Sequence, residues 1–439
     1  MGRVLVVGAG YVGLCTGAAL AESGHHVTLV DLDARKLEAV TDGRAPFHEP
    51  GLDELVSRHV ASGRLRTAQN IAAAEAPSFV ILCVGTPGDA SGAADLRFVE
   101  GAARDVAGAL PRWPRPVVVI TKSTVPPGTT RGLVRTTIER VSGLRAGADF
   151  HVASVPEFLR EGAAVRDALS PDRIVVGADE PEAARLVWTL FEAHRCPRVE
   201  VDCTTAEMVK YSANAFLATK VALANELANV AAKHGVDWYR VAEGIGHDPR
   251  IGPLFLRAGV GFGGSCFPKD VAAIAGIARA SGAPSHVLEA VLATNEEQPL
   301  VAVRMLEDEL GALGGKRIAL LGLAFKPDTD DVRATRALPI YDALRKAGAH
   351  VVVHDPVALD NFERLVGHLD AKAPTVEDAL RGADGCIIQT EWRSYASIDP
   401  RSFLSLMRTP VVVDGRRTCD PDAMRAAGVR YRAIGLGAP

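Results

Sequence analysis

The sequence predicts an α/β protein with two doubly wound, Rossmann-like domains joined by a long central helix and a helical middle domain. Three observations carry this. Short β-branched runs alternate with helical stretches over the first two hundred residues. One alanine-rich helical pattern then fills 204–234, and strand–helix alternation returns beyond about residue 312. Alternation of this kind gives a parallel sheet covered on both faces, and a change of period marks a change of layer. The expected domains are residues 1–200, 201–312 and 313–439.

In chain order, Val4–Val7, Val27–Val30, Phe79–Val84, Val117–Thr121, His151–Ser154 and Ile174–Val176 read as strands apolar on both faces. Helical stretches such as Gly13–Ser23 and Leu52–Ser62 fall between them. The central helix ends at Gly235, and Thr204 with Glu207 three residues on forms a capping-box pattern at its start. In the last domain Arg317–Leu321, Val351–His354, Cys386–Gln389 and Val411–Asp414 read as strands, with a helix over Leu338–Ala347. Residues 436–439 are expected to be loose.

The bulk properties exclude several classes. A chain of 439 residues, nearly half apolar and about a quarter charged, can bury two or three cores. A net charge of −4 without a lysine–arginine block gives no footprint for nucleic acid. The seven cysteines (Cys15, Cys83, Cys196, Cys203, Cys266, Cys386 and Cys419) are spread singly, which fits reduced thiols rather than a disulfide framework or zinc site. The twelve histidines also lack ligand spacing, so no metal is expected. The chain runs straight into a strand at Arg3, with no leader pattern and no apolar run of membrane length, so a soluble cytoplasmic protein is expected.

The most informative stretch is Gly261-Phe262-Gly263-Gly264-Ser265-Cys266-Phe267-Pro268-Lys269-Asp270. Its glycines allow backbone to approach a ligand, and Pro268 suits a first helical turn. Cys266 is thereby placed beside the positive end of a helix and near Lys269, the setting that favours a thiolate nucleophile. A lone cysteine in a packed loop is the competing account.

Gly8-Ala9-Gly10-Tyr11-Val12-Gly13 follows the first strand and opens a helix, as a dinucleotide turn must. Asp31 ends the second strand, where a carboxylate binds ribose hydroxyls and repels a 2′-phosphate, so NAD is favoured over NADP. Asp33 is the competing acid, and Lys36 is either a ribose contact or a surface lysine.

Thr86 and Thr124 follow later strands of the same sheet, where ligands of doubly wound folds bind, although threonines before prolines also simply start turns. In Pro156-Glu157-Phe158-Leu159-Arg160-Glu161-Gly162, one helical turn would stack Glu157 on Glu161. Like charges so placed need a cation or substrate between them, with Arg160 as the alternative surface partner. On the central helix Lys210, Asn214 and Asn225 share one stripe, which faces either solvent or a polar pocket. Asn225 is read as structural. Lys326 and Arg333, in Gly322-Leu323-Ala324-Phe325-Lys326-Pro327-Asp328-Thr329-Asp330-Asp331-Val332-Arg333, either meet phosphates or pair with the neighbouring aspartates.

Together these segments resemble the UDP-glucose/GDP-mannose dehydrogenase family, from Gly8 to the Arg416 region. The resemblance implies four-electron oxidation of a nucleotide-sugar C6 alcohol with two NAD in sequence. It makes Cys266 the nucleophile that forms a thiohemiacetal and then a thioester. Lys210 and Asn214 stabilise oxyanion charge, Asp270 handles protons through water, Thr124 binds the water, and Glu161 is the base for thioester hydrolysis. It implies NAD contacts at the Gly8, Gly10, Tyr11, Val12 and Gly13 turn and at Asp31, Lys36, Thr86, Thr124, Glu161, Lys269 and Arg333.

Substrate contacts are implied at Glu157, Phe158, Leu159, Glu161, Lys210, Asn214, Phe255, Leu256, Gly259, Gly263 and Lys326. Arg250 is implied to reach the sugar nucleotide of a neighbouring subunit. The same resemblance makes the central helix a dimer core, giving a homodimer or higher homo-oligomer, and the last lobe the UDP site. The 250–256 and 265–270 stretches look more like the UDP-glucose branch than the GDP-mannose branch, with N-acetyl-mannosamine dehydrogenases third. A non-catalytic relic that binds NAD and nucleotide sugar is the alternative of a different class.

Overall fold

The structure, a computed structural model, describes residues 2–89 and 92–437. The chain divides into two compact units, Met1–Ala213 and Asn214–Pro439.

The first unit is built on an eight-stranded sheet: β1 (Arg3–Val7), β2 (His26–Val30), β3 (Leu65–Thr67), β4 (Phe79–Leu82), β5 (Val117–Thr121), β6 (Phe150–Ser154), β7 (Ile174–Ala178) and β8 (Arg198–Val201), in spatial order 3-2-1-4-5-6-7-8. Alternate residues point to opposite faces of a strand. Val4 and Val6 therefore join one apolar cluster while Leu5 and Val7 join another. Both faces are covered, which is why these strands read as unbroken apolar runs.

The expectation of an all-parallel sheet is corrected at one place. β7 pairs antiparallel with β6, Ala153 opposite Ala178 and Ser154 opposite Gly177. An antiparallel pair needs no crossover, so residues 155–173 stay at the carboxyl edge of the sheet instead of crossing a face. That edge is where the Glu157–Glu161 segment lies.

The second unit carries a six-stranded sheet of β9 (Arg317–Leu321), β10 (His350–His354), β11 (Ala371–Lys372), β12 (Gly385–Ile388), β13 (Val411–Asp414) and β14 (Arg430–Ala433). Its order is 11-10-9-12-13-14 and all neighbours are parallel, which repeats the 3-2-1-4-5-6 arrangement of the first sheet.

The helix Cys203–Lys233 is 31 residues long and runs through the boundary between the two units. Its expected capping box does not form. Asp202 accepts the Thr205 N–H at 3.1 Å in its place. Glu207, released from capping, accepts from Gly128 N at 2.5 Å and Thr130 N at 2.8 Å, pinning the loop after β5. Burial pushes the Glu207 carboxyl above its ordinary range.

The chain end is also tied down further than expected. Leu436 bridges to Asp237, and Gly437 N donates to Val236 O at 3.2 Å. Residues 438–439 of the expected loose tail lie outside the described residues. Among the described residues no helix is long and apolar enough to cross a membrane, and no group of three metal-ligating side chains occurs.

Candidate active site

In the first unit the turn after β1 uses its three glycines in three ways. Gly8 has φ +105°, and a Cβ there would lie 2.6 Å from Cys83 O. A Cβ on Gly13 would lie 1.8 Å from Gly8 O, so this glycine serves helix-to-turn packing. Gly10 has nothing within 4 Å of a would-be Cβ: it leaves open approach to the first turn of the helix Tyr11–Glu22, which no side chain caps. An open helix N-terminus suits a pyrophosphate.

Asp31, just past β2, accepts from Ala9 N at 2.7 Å and Asp33 N at 2.9 Å, with Lys36 Nζ at 3.5 Å. Its carboxylate thus braces the turn from behind, and Lys36 is drawn to it. Asp33 caps the helix Ala34–Thr41 through Arg35 N, which accounts for it structurally. These residues fit a dinucleotide with an acid at the ribose position. Thr86 Oγ1 donates to Thr124 O at 2.8 Å, binding the loops after β4 and β5 together.

Beside them lies a buried ion pair. Lys210 Nζ is 2.9 Å from Glu157 Oε1, with both side chains about 5 % exposed. Burial pushes the Glu157 carboxyl up. The Lys210 ammonium, the Leu159 N–H at 2.6 Å and Lys122 outweigh that and hold it below its ordinary range. Burial lowers Lys122 in turn. The Phe158 ring carries Arg173 at 3.8 Å and Lys210 at 5.5 Å.

The expected helical stacking of Glu157 on Glu161 is corrected. Residues 155–160 are irregular and Glu161 sits in a turn, so no helical turn stacks the two acids. Arg160 pairs with Asp167 at 2.6 Å, as a surface partner. Lys122 and Glu49 were not singled out from sequence, and Glu207 was read only as a helix cap.

In the second unit Cys266 stands at the start of the helix Phe267–Ser281, which has proline in its first turn as expected. The Cys266 carbonyl accepts from Asp270 N at 2.8 Å, and Ser265 Oγ lies 3.5 Å from its sulfur. Cys266 is the exposed cysteine of this chain. Burial pushes the Cys83 and Cys203 thiols up to about 12 and raises those of Cys15, Cys386, Cys419 and Cys196. Asp270 is buried and accepts from Asn214 Nδ2 at 2.6 Å and Lys269 Nζ at 2.5 Å. Lys269 is therefore drawn to Asp270.

The loop glycines also serve packing within the unit. A Cβ on Gly263 would be 2.5 Å from Ala334 O, and one on Gly264 would meet the Phe325 ring at 2.8 Å. They admit the 322–336 segment of the same unit, and Gly264 N donates to Arg333 O at 2.9 Å.

The remaining candidates divide by environment. The stripe of Lys210, Asn214 and Asn225 is buried, and Asn225 accepts from Gly259 N at 2.7 Å, a structural bond. Gly259 O takes a further bond from Gln298 at 2.8 Å. Leu256 is buried and its carbonyl accepts from Trp238; Phe255 holds φ +64°. Arg250 is exposed and pairs with Asp248 at 2.6 Å. Arg333 pairs with Asp331 at 2.5 Å, and Lys326 lies 5.4 Å from the Phe325 ring centre. Val12 is half-buried in the first helical turn.

Residues 2–195 match the NAD binding domain of the UDP-glucose/GDP-mannose dehydrogenase family, 204–297 its central domain and 319–421 its UDP binding domain. The chain belongs to this family. NAD is its cofactor, in agreement with the turn at Gly8–Gly13. UDP-glucose 6-dehydrogenase TuaD of Bacillus subtilis is 39 % identical over 99 % of this chain and 93 % of its own. UDP-glucose 6-dehydrogenase AglM of Haloferax volcanii is 43 % identical over 98 % and 99 %. The structure of a UDP-glucose dehydrogenase from Pyrobaculum islandicum superposes with a TM-score of 0.93 at 41 % identity, covering 100 % of this chain and 98 % of that one.

Proposed function

We propose that this chain oxidises the C6 alcohol of UDP-glucose to the carboxylate of UDP-glucuronate, in the cytoplasm, by way of a covalent sulfur intermediate. The observation that carries the reading is Cys266: exposed, at a helix N-terminus, in a chain whose other cysteines are buried or half-buried. NAD, when bound, accepts the hydride in each of the two oxidations. The Cys266 thiolate adds to the aldehyde carbon formed first, so the sugar stays attached for the second oxidation, which leaves a thioester. Water then adds to the acyl carbon, Glu161 takes its proton, and the carbon–sulfur bond breaks to return the thiolate. One alcohol, two NAD and one water give one carboxylate, two NADH and three protons.

Lys210 and Asn214, one helical turn apart, are the donors for the oxyanion that develops on the sugar oxygen. Asp270 is the proton acceptor that also orients Asn214, and Thr124 positions the water. The domains of the reading are 1–200 for NAD, 201–312 for the central region and 313–439 for the UDP moiety, with Lys326 and Arg333 as its cations. A homodimer is part of it. Phe216, Leu223, Leu227 and Val230 are exposed on one side of the central helix, within a 60° arc at about 100° per residue. Such a stripe suits a second copy, and exposed Arg250 is available to the partner's substrate.

The test is NADH formation from UDP-glucose. Two NADH per sugar supports the reading. Turnover with GDP-mannose alone would move the substrate, and binding of NAD and nucleotide sugars without turnover would make the chain a non-catalytic relic.

A further inference from the structure

Glu49 lies in the loop between the helices Ala34–Thr41 and Leu52–Ala61, yet it is only 4 % exposed. No lysine or arginine among the described residues pairs with it. Its carboxylate is instead committed to hydrogen-bond donors from two separate segments. Oε1 accepts from Ala164 N at 2.7 Å, and Oε2 accepts from Gly162 N at 2.7 Å and from the Tyr11 hydroxyl. Gly162 N also lies 2.8 Å from the Tyr11 oxygen.

Tyr11 is the first residue of the helix whose N-terminus follows Gly10. Burial, reinforced by Glu49 itself, pushes its phenol well above the ordinary range, so the hydroxyl remains a donor. Burying a carboxylate away from cations is costly unless its oxygens are filled, and here they are filled by groups whose positions matter. Gly162 and Ala164 lie one and three residues after Glu161, in its turn and at the start of the next helix, while Tyr11 belongs to the dinucleotide turn.

We propose that Glu49 is a positioning residue for thioester hydrolysis: it locks the backbone beside Glu161 and ties that backbone to the NAD turn. The inference rests on the function proposed above, in which Glu161 accepts the proton of the attacking water. Glu49 itself touches no reacting atom. Its loss should therefore leave both oxidations comparatively intact and slow the step that follows them.

The test is Glu49→Gln in the full chain, followed by rapid quench and intact-mass spectrometry during turnover with UDP-glucose and NAD. The amide keeps the shape but turns an NH2 towards backbone N–H donors. Steady-state turnover should fall about ten- to a hundredfold, the scale of a catalytic group displaced by an ångström. A UDP-glucuronyl adduct on Cys266 should accumulate, with a first-turnover NADH burst close to that of the unmodified protein. A merely destabilised fold would slow all steps and accumulate no adduct. Tyr11→Phe, which removes one donor and leaves both N–H bonds, should show the same adduct at a lower level and guards against a Glu49→Gln that does not fold. Adduct levels in both variants equal to the unmodified protein's, while that protein forms two NADH per sugar, overturn the role of Glu49 alone. An unmodified protein that forms no NADH from any nucleotide sugar overturns this inference together with the function it rests on.

Discussion

The Lys210–Glu157 pair offers the most quantitative test of the first unit. At 2.9 Å, with both side chains almost fully buried, the Coulomb attraction is about 6 kcal/mol at an effective dielectric constant of about 20. Much of that is offset by the desolvation of both ions. Removing one partner strands the other, and the expected loss for Lys210→Met is about 3–5 kcal/mol at neutral pH. The stranded group is Glu157, which would keep the Leu159 N–H but lose the ammonium that holds its carboxyl low.

The sign with pH follows from this. In the unmodified protein the folded Glu157 sits below its unfolded value, so its stabilisation is present at neutral pH and is lost only as pH falls through the lowered value. In Lys210→Met burial dominates and raises the carboxyl, so the variant gains relative stability as pH falls and the proton binds. Urea unfolding at pH 7 and at pH 5 should therefore show the gap between the two proteins narrowing at the lower pH. Glu157→Gln combined with Lys210→Met should recover part of the loss, with a coupling of about 2–3 kcal/mol at pH 7. A coupling under about 0.5 kcal/mol, or a gap that widens at pH 5, would refute the claim that this pair is held by mutual charge in a desolvated site.

Other expectations come from single positions. Gly10→Ala should fold normally and weaken NAD binding, whereas Gly13→Ala, whose Cβ meets Gly8 O at 1.8 Å, should cost about 3 kcal/mol of stability; equal effects in NADH titration and urea unfolding would refute the separate uses of the two glycines. Gly264→Ala faces both φ +84° and the Phe325 ring, and a loss of about 1–3 kcal/mol in urea unfolding is expected, with no change counting against it. Cys266→Ser should stall after the first oxidation or hold a slowly released adduct, so sugar-acid production at the normal rate would exclude the sulfur route.

The elements that sequence displayed best were those whose signal is local. Unbroken apolar strands, the alanine-rich helix ended by Gly235, and proline in the first turn after Cys266 each depend on neighbours within a few residues. Several departures arose where another group competed for an expected partner. Glu207 had the right spacing for a capping box, but Asp202 took the cap and the Gly128–Thr130 N–H groups took the glutamate. Gly263 and Gly264 had the composition of a ligand loop, and Phe325 and Ala334, some sixty to seventy residues on, pack against them. Glu49 was silent because its meaning depends on three donors, at Tyr11, Gly162 and Ala164, that no spacing rule connects to it.

The two sheets show how far a positional rule carries. Each has an acid just past its second strand, Asp31 and Asp355, bonded to the turn after the first. Asp31 accepts one N–H from that turn and one from Asp33, with Lys36 at its edge. Asp355 takes the N–H groups of Leu323, Ala324, Val357 and Ala358 and the Trp392 indole. A carboxylate has about four lone-pair sites, so Asp355 has no acceptor capacity left for a ribose. The turn before it also lacks the open second glycine, with Ala324 in that position. The same strand order thus yields an acid open to a ribose in one unit and a saturated one in the other, decided by how many donors the acid already holds.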